Sequence, residues 1–313
     1  MNNYLEILRP GINTTFQDLG RNNFYHIGLP FSGAMDKRNF KICNKLLDNN
    51  YSSAVIEFAY QGPSFRYIGE KNFFAITGDA NFVVKKNNSQ IIEGKCYKII
   101  EIENNDIIDI SSTNKTVYGY ISFVNGFILK SFLGSHSTTT RAQVGPNDGQ
   151  KFRKDQKIFL NETKNIQKKK INFLNSKIEY MRIIKGTNFN YFSDEAISLF
   201  LSMDFTVSKL SDRMGMRLEG PKIKNLKKTN IKSEGLVKGV IQVPADGNPI
   251  IMLSDHGTIG GYPKLGVVIS ADYDKLVQLP SNSKIKFKLI ELEEAENLFK
   301  IYELETQNIL NNI

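Results

Sequence analysis

The stretch Val117-Tyr118-Gly119-Tyr120-Ile121-Ser122-Phe123 is typical of a β-strand, because one set of alternating positions is apolar or glycine throughout. The same strand-like patterning returns elsewhere in the chain, at residues 55–58, 72–76, 81–84, 237–243, 249–253 and 284–289. Gly, Asn, Asp and Pro separate these stretches at short intervals, as in β-barrels and β-sandwiches rather than in alternating βα units. The sequence therefore predicts a mostly β protein.

Helices are expected to be few. Ser32 is of a type that caps a helix, and the apolar spacing after it predicts a helix to about Leu47, with Asp36 in its first turn. Ser193 similarly predicts the start of a second helix. Residues 292–310 form an amphipathic pattern that predicts a third helix near the C-terminus.

The length of 313 residues favours two domains, at roughly 150 residues each. The polar, Lys-rich stretch 161–177 is the best candidate for a linker between them. We therefore expect an N-terminal half over residues 1–165, a C-terminal half over 178–292 and a final helix over 293–313.

The net charge of +9 leaves an anionic partner open, yet lysine clusters such as 168–170 lack the interleaved aromatics of a nucleic-acid groove. We therefore expect no nucleic-acid partner. No apolar run approaches the roughly 20 residues of a membrane span, and the N-terminus lacks a secretory signal pattern. The expectation is a cytoplasmic protein with no membrane partner, and the two cysteines exclude a disulfide scaffold.

Four polar segments interrupt the strand pattern. The first segment contains Asp18 and Arg21 in one loop, followed by His26 and by Ser32-Gly33. It leads into the N-terminus of a predicted helix, where free backbone N–H groups favour an anion. Asp18, Arg21, His26 and Asp36 are candidates there for charge and proton transfer. A purely structural pairing of Asp18 with Arg21 explains these two residues equally well.

The second and third segments each contain an arginine beside small or polar residues. Residues 133–141 combine Gly and hydroxyl groups with Arg141, which suits either a phosphate or carboxylate site or a polar hairpin turn. In the third segment, Arg213 or Arg217 can clamp a carboxylate through two parallel hydrogen bonds, and Asp212 can equally serve as an internal partner.

The fourth segment, residues 242–264, is the richest in candidate groups, because an acceptor, a base, a hydroxyl and a cation lie close together with glycines that permit close approach of a ligand. The candidates are Gln242, Asp255, His256, Thr258, Gly260, Gly261, Tyr262 and Lys264. The three histidines are far apart in sequence, so we expect no metal site. The chain also has no glycine-rich phosphate loop of the nucleotide-binding types.

Taken together, the four segments resemble the biotin-dependent carboxyltransferase family, also called allophanate hydrolase subunit 2. The matching stretches are Thr14-Thr15-Phe16-Gln17-Asp18-Leu19-Gly20-Arg21, Gly28-Leu29-Pro30-Phe31-Ser32-Gly33-Ala34-Met35-Asp36, Ser211-Asp212-Arg213-Met214-Gly215 and Gly260-Gly261-Tyr262-Pro263-Lys264. The family includes the C component of the bacterial ATP-dependent 5-oxoprolinase, the carboxyltransferase domain of urea carboxylase and an antagonist of a sporulation-kinase inhibitor. The resemblance implies two cyclophilin-like β-barrel domains.

The resemblance also implies a function, most often that of the 5-oxoprolinase C component, which takes part in opening 5-oxo-L-proline to L-glutamate. Its implied partners are a cyclophilin-like B component and a lamB-type A component, and ATP is expected to be handled jointly with them. The expected proton-transfer residues are Asp18, His26, Asp255 and His256. The expected substrate contacts are Arg21, Ser32, Gly33, Arg141, Asp212, Arg213, Gln242, Thr258, Gly260, Gly261, Tyr262 and Lys264.

Two rival functions follow from the same resemblance. One is carboxyl transfer from carboxybiotin to urea or a related amide, although the chain has no Met-Lys-Met site to carry biotin itself. The other is a non-enzymatic antagonist that binds a kinase inhibitor. The sequence departs from the usual family pattern at four positions that bear on substrate choice: His136 replaces Arg, Pro146 replaces Gly, and Gly257 and Ile259 replace Gln and Thr.

Overall fold

The protein is described here by a computed structural model that covers residues 3–173, 178–224 and 230–313. Residues 174–177, at the end of the predicted linker, lie outside the described part. Contacts group the chain into two compact units. Unit 1 comprises Met1–Arg21, Ser32–Leu174 and Gln307–Ile313, and unit 2 comprises Asn22–Phe31 and Asn175–Thr306. The domain boundaries expected from the sequence stay a prediction.

Unit 1 is built, in its described residues, from antiparallel strands in two sheets. The strands are β1 (Tyr4–Arg9), β2 (Thr15–Gln17), β3 (Val55–Ala59), β4 (Ser64–Ile68), β5 (Asn72–Thr77), β6 (Ala80–Lys85), β7 (Ile91–Glu93), β8 (Ile99–Ile102), β9 (Ile107–Thr113), β10 (Tyr118–Phe123) and β11 (Lys157–Phe159). One sheet has the order β11-β1-β4-β9-β6-β7 and the other the order β2-β3-β10-β5-β8. Buried side chains of both sheets form one core, which contains Phe58, Phe65, Phe74 and Phe123.

The helix of unit 1, α1 (Lys37–Leu46), begins later than the sequence predicts. Its N-cap is Asp36, whose carboxylate accepts a hydrogen bond from the Asn39 N–H at 2.9 Å. Ser32 and Gly33 have φ values of +57° and +85°, which are incompatible with the start of a right-handed helix. The assignment of Ser32 as the helix cap is therefore wrong, because residues 32–35 form a shaped loop before the helix.

Unit 2 contains an eight-stranded sheet that is almost closed on itself. The strands of unit 2 are β12 (Met181–Lys185), β13 (Phe205–Val207), β14 (Gly215–Glu219), β15 (Glu234–Gly235), β16 (Val240–Gln242), β17 (Ile250–Met252), β18 (Ile259–Gly260), β19 (Lys264–Val268), β20 (Lys284–Ile285) and β21 (Phe287–Leu289). The sheet order is β20-β13-β14-β17-β16-β19-β12-β21. Its two edge strands, β20 and β21, are separated only by Lys286, so one continuous segment nearly closes the barrel.

Three helices accompany this barrel: α2 (Asp194–Ser202), α3 (Ser270–Val277) and α4 (Leu292–Asn311). The Ser193 hydroxyl caps α2 as predicted, and α4 is the predicted C-terminal helix. With four α-helices among the described residues, the prediction of a mostly β fold with few helices is confirmed. None of the helices in the described ranges has the length and apolar character needed to cross a membrane.

Candidate functional site

In unit 1, the Asp18 carboxylate organises a loop that is distant in sequence. It accepts hydrogen bonds from the Gly20 N–H at 2.8 Å, the Ser135 hydroxyl at 2.7 Å and the Ser137 hydroxyl at 2.5 Å. Its second oxygen accepts the His136 N–H at 2.6 Å. Asp18 is only 6% exposed, so these donors replace the water that a buried carboxylate loses. The first and second polar segments are thereby brought together.

Arg21 forms a second set of hydrogen bonds to the loop that contains Ser137 and Thr139. Its Nη1 donates to the Thr139 hydroxyl at 2.7 Å, and its Nη2 donates to the Ser137 carbonyl. The guanidinium is almost completely buried. The hydrogen bonds of the Asp18 carboxylate come from hydroxyl and backbone N–H groups, and its ion-pair contact, at 3.9 Å, is with His136. The proposed direct pairing of Asp18 with Arg21 is therefore not the arrangement found. The two residues instead hold the second segment through separate hydrogen bonds.

Ser32 and Gly33 pack against the backbone that carries Asp18. The Ala34 N–H donates to the Asp18 carbonyl at 2.9 Å. A Cβ atom at Gly33 would lie 2.9 Å from the backbone nitrogen of Gly20 and 2.9 Å from the carbonyl carbon of Leu19. Gly33 is therefore needed for close approach of two backbone segments as well as for its positive φ.

Gly33→Ala is expected to lower the free energy of unfolding by about 3 kcal/mol, because strain at positive φ costs about 1 kcal/mol and a backbone clash adds to it. Gly28→Ala is the matched control, since Gly28 has a φ of +84° and nothing within 4 Å of an added Cβ. We expect it to cost only about 1 kcal/mol. Urea unfolding measures both, and equal losses would contradict the close approach.

A cavity of about 360 Å³ opens beside Asp18 and His136 in unit 1. Its other lining residues are all uncharged: Leu19, Gly20, Ser52, Ser53, Ala54, Asn125, Gly126, Phe127, Leu129, Gly134 and Asn161. None of the lining residues is a lysine or an arginine. Arg141, the predicted anion contact of this segment, lies in a turn and does not line it.

In unit 2, Arg213 and Asp255 form a two-point ion pair. Nε and Nη2 of Arg213 donate to the two oxygens of Asp255 at 2.8 and 3.0 Å. Asp212 instead accepts the N–H groups of Met214 and Gly215, at 2.8 and 3.2 Å, and so shapes its own turn. The suggested internal pairing of Arg213 with Asp212 is therefore wrong, and the third and fourth segments are joined through Asp255.

His256 is buried at 1% exposure and contacts two groups. Its Nδ1 lies 2.6 Å from the Gly257 carbonyl, and its Nε2 lies 3.0 Å from the Tyr25 hydroxyl. Burial lowers the pKa of His256 and raises the pKa of Tyr25 to about 12. His26, which the sequence favoured, has an exposed side chain in the same 3-10 turn, Tyr25–Ile27. Tyr25 was missed, because a tyrosine beside a histidine carries no signal of its own.

Lys264 supplies a buried cation in unit 2. Its side chain is 4% exposed, and its Nζ donates to Glu234 Oε2 at 2.7 Å. This hydrogen bond is the main reason that the pKa of Glu234 is lowered. The Lys264 N–H also donates to the Asn188 amide oxygen at 3.1 Å. Glu234 and Asn188 were not predicted, since both lie outside the four segments.

The remaining candidates of the fourth segment lie around a short ribbon formed by β15 and β18. Gln242 Nε2 donates to the Tyr262 carbonyl at 3.2 Å, and a Cβ at Gly260 would lie 2.6 Å from that nitrogen. A Cβ at Gly261 would lie 3.2 Å from the Ile231 carbonyl oxygen. The Thr258 carbonyl accepts a backbone N–H of the facing segment. The glycines therefore allow close packing of this ribbon.

The predicted residues thus fall into two groups, one in each unit. Asp18, Arg21, Ser32, Gly33 and Arg141 belong to unit 1, whereas His26 and the candidates from the third and fourth segments belong to unit 2. Convergence of all four segments on one small anionic ligand stays a prediction. Within the described ranges, no cluster of three or more His, Cys, Asp or Glu residues is placed to hold a metal ion.

The chain is of the carboxyltransferase type, as a comparison with family profiles shows. A family profile described as "Carboxyltransferase domain, subdomain A and B" matches residues 27–289. The chain belongs to this family, and the resemblance inferred from the four segments is confirmed.

The chain is also similar to individual proteins of the family. The C component of the 5-oxoprolinase of Haemophilus influenzae is 29% identical over 313 residues, which cover 97% of this chain and 97% of the relative. The urea amidolyase of Saccharomyces cerevisiae is 27% identical over 94% of this chain but only 17% of its own length. The crystal structure of Kluyveromyces lactis urea carboxylase has a TM-score of 0.87 at 24% identity, covering 98% of this chain and 29% of that one. The last likeness bears on the fold alone.

Proposed function

We propose that the protein is the C component of a 5-oxoprolinase, which opens 5-oxo-L-proline to L-glutamate together with partner proteins. The observation that carries this proposal is the match over 97% of both chains to a relative that is itself named as a component of that enzyme. The match to urea amidolyase, in contrast, covers 17% of a much longer protein.

The reaction defines what the site must do. A lactam is stabilised by amide resonance, so direct attack by water is slow. Phosphorylation of the lactam oxygen by ATP would create a better electrophile. The assembled enzyme must then hold the substrate carboxylate, stabilise the phosphoryl charge and position a water molecule.

Lys264 is the strongest candidate for the carboxylate contact. Its ammonium group is buried, whereas the carboxylate that it contacts, Glu234, is 44% exposed. A substrate carboxylate can replace Glu234 without leaving the ammonium unpaired, which avoids the cost of an isolated buried charge. Arg21, Arg141 and Arg213 remain further candidates for anion contacts.

The proton-transfer candidates divide into supporting and reacting groups. Asp18 already accepts four hydrogen bonds and Asp255 is held by Arg213, so both are better suited to positioning than to proton transfer. This leaves the imidazoles of His26 and His256 as the proposed proton carriers.

ATP is proposed to be handled with two partners, a lamB-type protein like the A component and a cyclophilin-like protein like the B component. Two observations support sharing: the sequence contains no glycine-rich nucleotide-binding loop, and no lysine or arginine lines the cavity beside Asp18 and His136. No biotin is expected on this chain, for want of an attachment site.

Reconstitution tests the proposal directly. The chain is mixed with its candidate lamB-type and cyclophilin-like partners, and glutamate released from 5-oxoproline is measured with and without ATP. We expect release only when ATP and all three proteins are present. Full activity of the chain alone, or none in the complete mixture, would contradict the proposal. Carboxyl transfer from carboxybiotin to urea would establish the carboxyltransferase function instead. Stable binding of a partner without any turnover would favour the non-enzymatic antagonist.

Lys264→Met in the same mixture is expected to lower kcat/KM by about 10- to 100-fold, mainly through KM, because a charged hydrogen bond contributes about 1.5–3 kcal/mol. Lys288→Met, which removes an exposed lysine of β21, is the control and should stay within about 2-fold. An unchanged KM in Lys264→Met would rule out the carboxylate contact.

A further inference from the structure

The pair formed by Tyr25 and His256 has a defined direction of hydrogen bonding. A carbonyl oxygen can only accept, so the 2.6 Å contact with the Gly257 carbonyl places the imidazole proton on Nδ1. Nε2 is then the unprotonated nitrogen, and the Tyr25 hydroxyl must donate to it across 3.0 Å. The backbone contact therefore fixes the tautomer, and the tautomer fixes which way the tyrosine proton points.

The burial of the two side chains differs. His256 is enclosed, whereas Tyr25 is only half-buried. The Tyr25 ring is held by Phe31, with ring centroids 4.5 Å apart, and meets the imidazole edge-on at 6.0 Å. A ligand therefore has more direct access to Tyr25 than to the buried imidazole behind it.

The charges around His256 act in opposite directions. Asp255 favours the imidazolium form and Lys238 disfavours it, while burial, the largest effect, lowers the pKa of His256. Asp255 is itself paired with Arg213 through two hydrogen bonds, which offset part of its effect on His256. The resting state is therefore a neutral imidazole that accepts from a neutral tyrosine, and a proton that arrives on Nε2 is still met by the nearby Asp255 charge.

We propose that Tyr25 and His256 form a proton relay in which the tyrosine hydroxyl meets the substrate and the buried imidazole stores the proton. This inference rests on the proposed function and deepens it. When water attacks the activated carbonyl carbon, its O–H bond breaks and its proton passes to Tyr25 Oη, while the original tyrosine proton passes to His256 Nε2. The C–N bond of the ring then breaks as the proton returns through Tyr25 to the departing nitrogen, which restores both residues. The other proton of the attacking water passes to the product amine, and the phosphoryl group stays on the new carboxyl oxygen until a second water releases it as inorganic phosphate.

The hydrogen-bond arrangement can be tested without any activity. The chain has three histidines, so nitrogen NMR signals of the side chains can be assigned with His26→Gln and His136→Gln. We expect His256 to carry its proton on Nδ1 at neutral pH. Tyr25→Phe should move the Nε2 signal towards that of a nitrogen without a hydrogen bond and leave Nδ1 unchanged. A proton on Nε2, or an Nε2 signal that does not respond to Tyr25→Phe, would overturn the relay.

The catalytic role is tested in the reconstituted mixture. Tyr25→Phe keeps the ring that packs on Phe31, and we expect it to lower kcat about 100-fold with KM changed less than about 3-fold. Tyr51→Phe, at a side chain that is 66% exposed, is the matched control and should leave kcat unchanged. His256→Gln should lower kcat at least as much as Tyr25→Phe does.

The outcomes separate the two proposals. An active wild-type mixture with fully active Tyr25→Phe would overturn the relay and leave the proposed function standing. A complete mixture that is inactive on 5-oxoproline would overturn the proposed function. It would also overturn the role of the relay in that reaction, whatever the NMR result for the hydrogen bond.

Discussion

Asp18→Ala is expected to lower the free energy of unfolding by about 3–5 kcal/mol, because it leaves several buried donors without an acceptor. Two of those donors are hydroxyls, of Ser135 and Ser137, and two are backbone N–H groups, of Gly20 and His136. The hydroxyls can rotate, but the backbone groups cannot. Most of the loss should therefore come from the two backbone N–H groups, those of Gly20 and His136.

Asp204→Ala is the matched control, since Asp204 makes only a 3.6 Å surface ion pair with Lys286 and is 46% exposed. It should change the free energy of unfolding by less than about 1 kcal/mol. Urea unfolding gives both values, and hydrogen exchange adds a local measure. The His136 amide proton should exchange much faster in Asp18→Ala but not in Asp204→Ala. Unchanged exchange would show that Asp18 does not hold this loop.

The start of α1 shows why local sequence predicts an element better than its boundary. Ser32 and Asp36 are both of helix-capping type, so pattern alone does not choose between them. The structure shows a contact that local sequence does not contain: Ala34 donates to the Asp18 carbonyl, and Ser32 and Gly33 just before it have positive φ. The helix itself was predictable because its apolar stripe is local.

Helix α3 and Tyr25 were missed for related reasons. Ile269 precedes α3 and offers no capping side chain, so the sequence carries no start signal there. Asp272 in the first turn of α3 instead accepts hydrogen bonds from the backbone and side chain of Arg182, which lies 90 residues away in sequence. In the turn at 25–27, sequence favours His26 as the usual proton carrier, but the fold points Tyr25 towards His256. The segments that contain candidate residues can be predicted from local sequence. Which side chains form hydrogen bonds with each other depends on how the chain folds, and local sequence does not show it.

Arg213→Ala and Asp255→Ala are each expected to lower the free energy of unfolding by about 3–5 kcal/mol, because each leaves a buried charge without its two-point partner. Asp255 is 7% exposed and the Arg213 side chain 11%, so water cannot replace the missing group fully. The double substitution should cost less than the sum of the two, with a coupling of about 2 kcal/mol. The physical reason is that removing both charges leaves no isolated ion behind.

The pair of Arg66 with Glu6 is the natural control for this cycle, since its contact is 3.0 Å but its side chains are 42% and 30% exposed. Its coupling should stay below about 1 kcal/mol, because solvent screens the charges. Urea unfolding of the wild type, single and double variants measures both cycles. Equal coupling in the two pairs would mean that burial does not strengthen the contact of Arg213 with Asp255. The fourth segment would then lose the anchor that we assign to it, and Asp255 would become a candidate for direct proton transfer again.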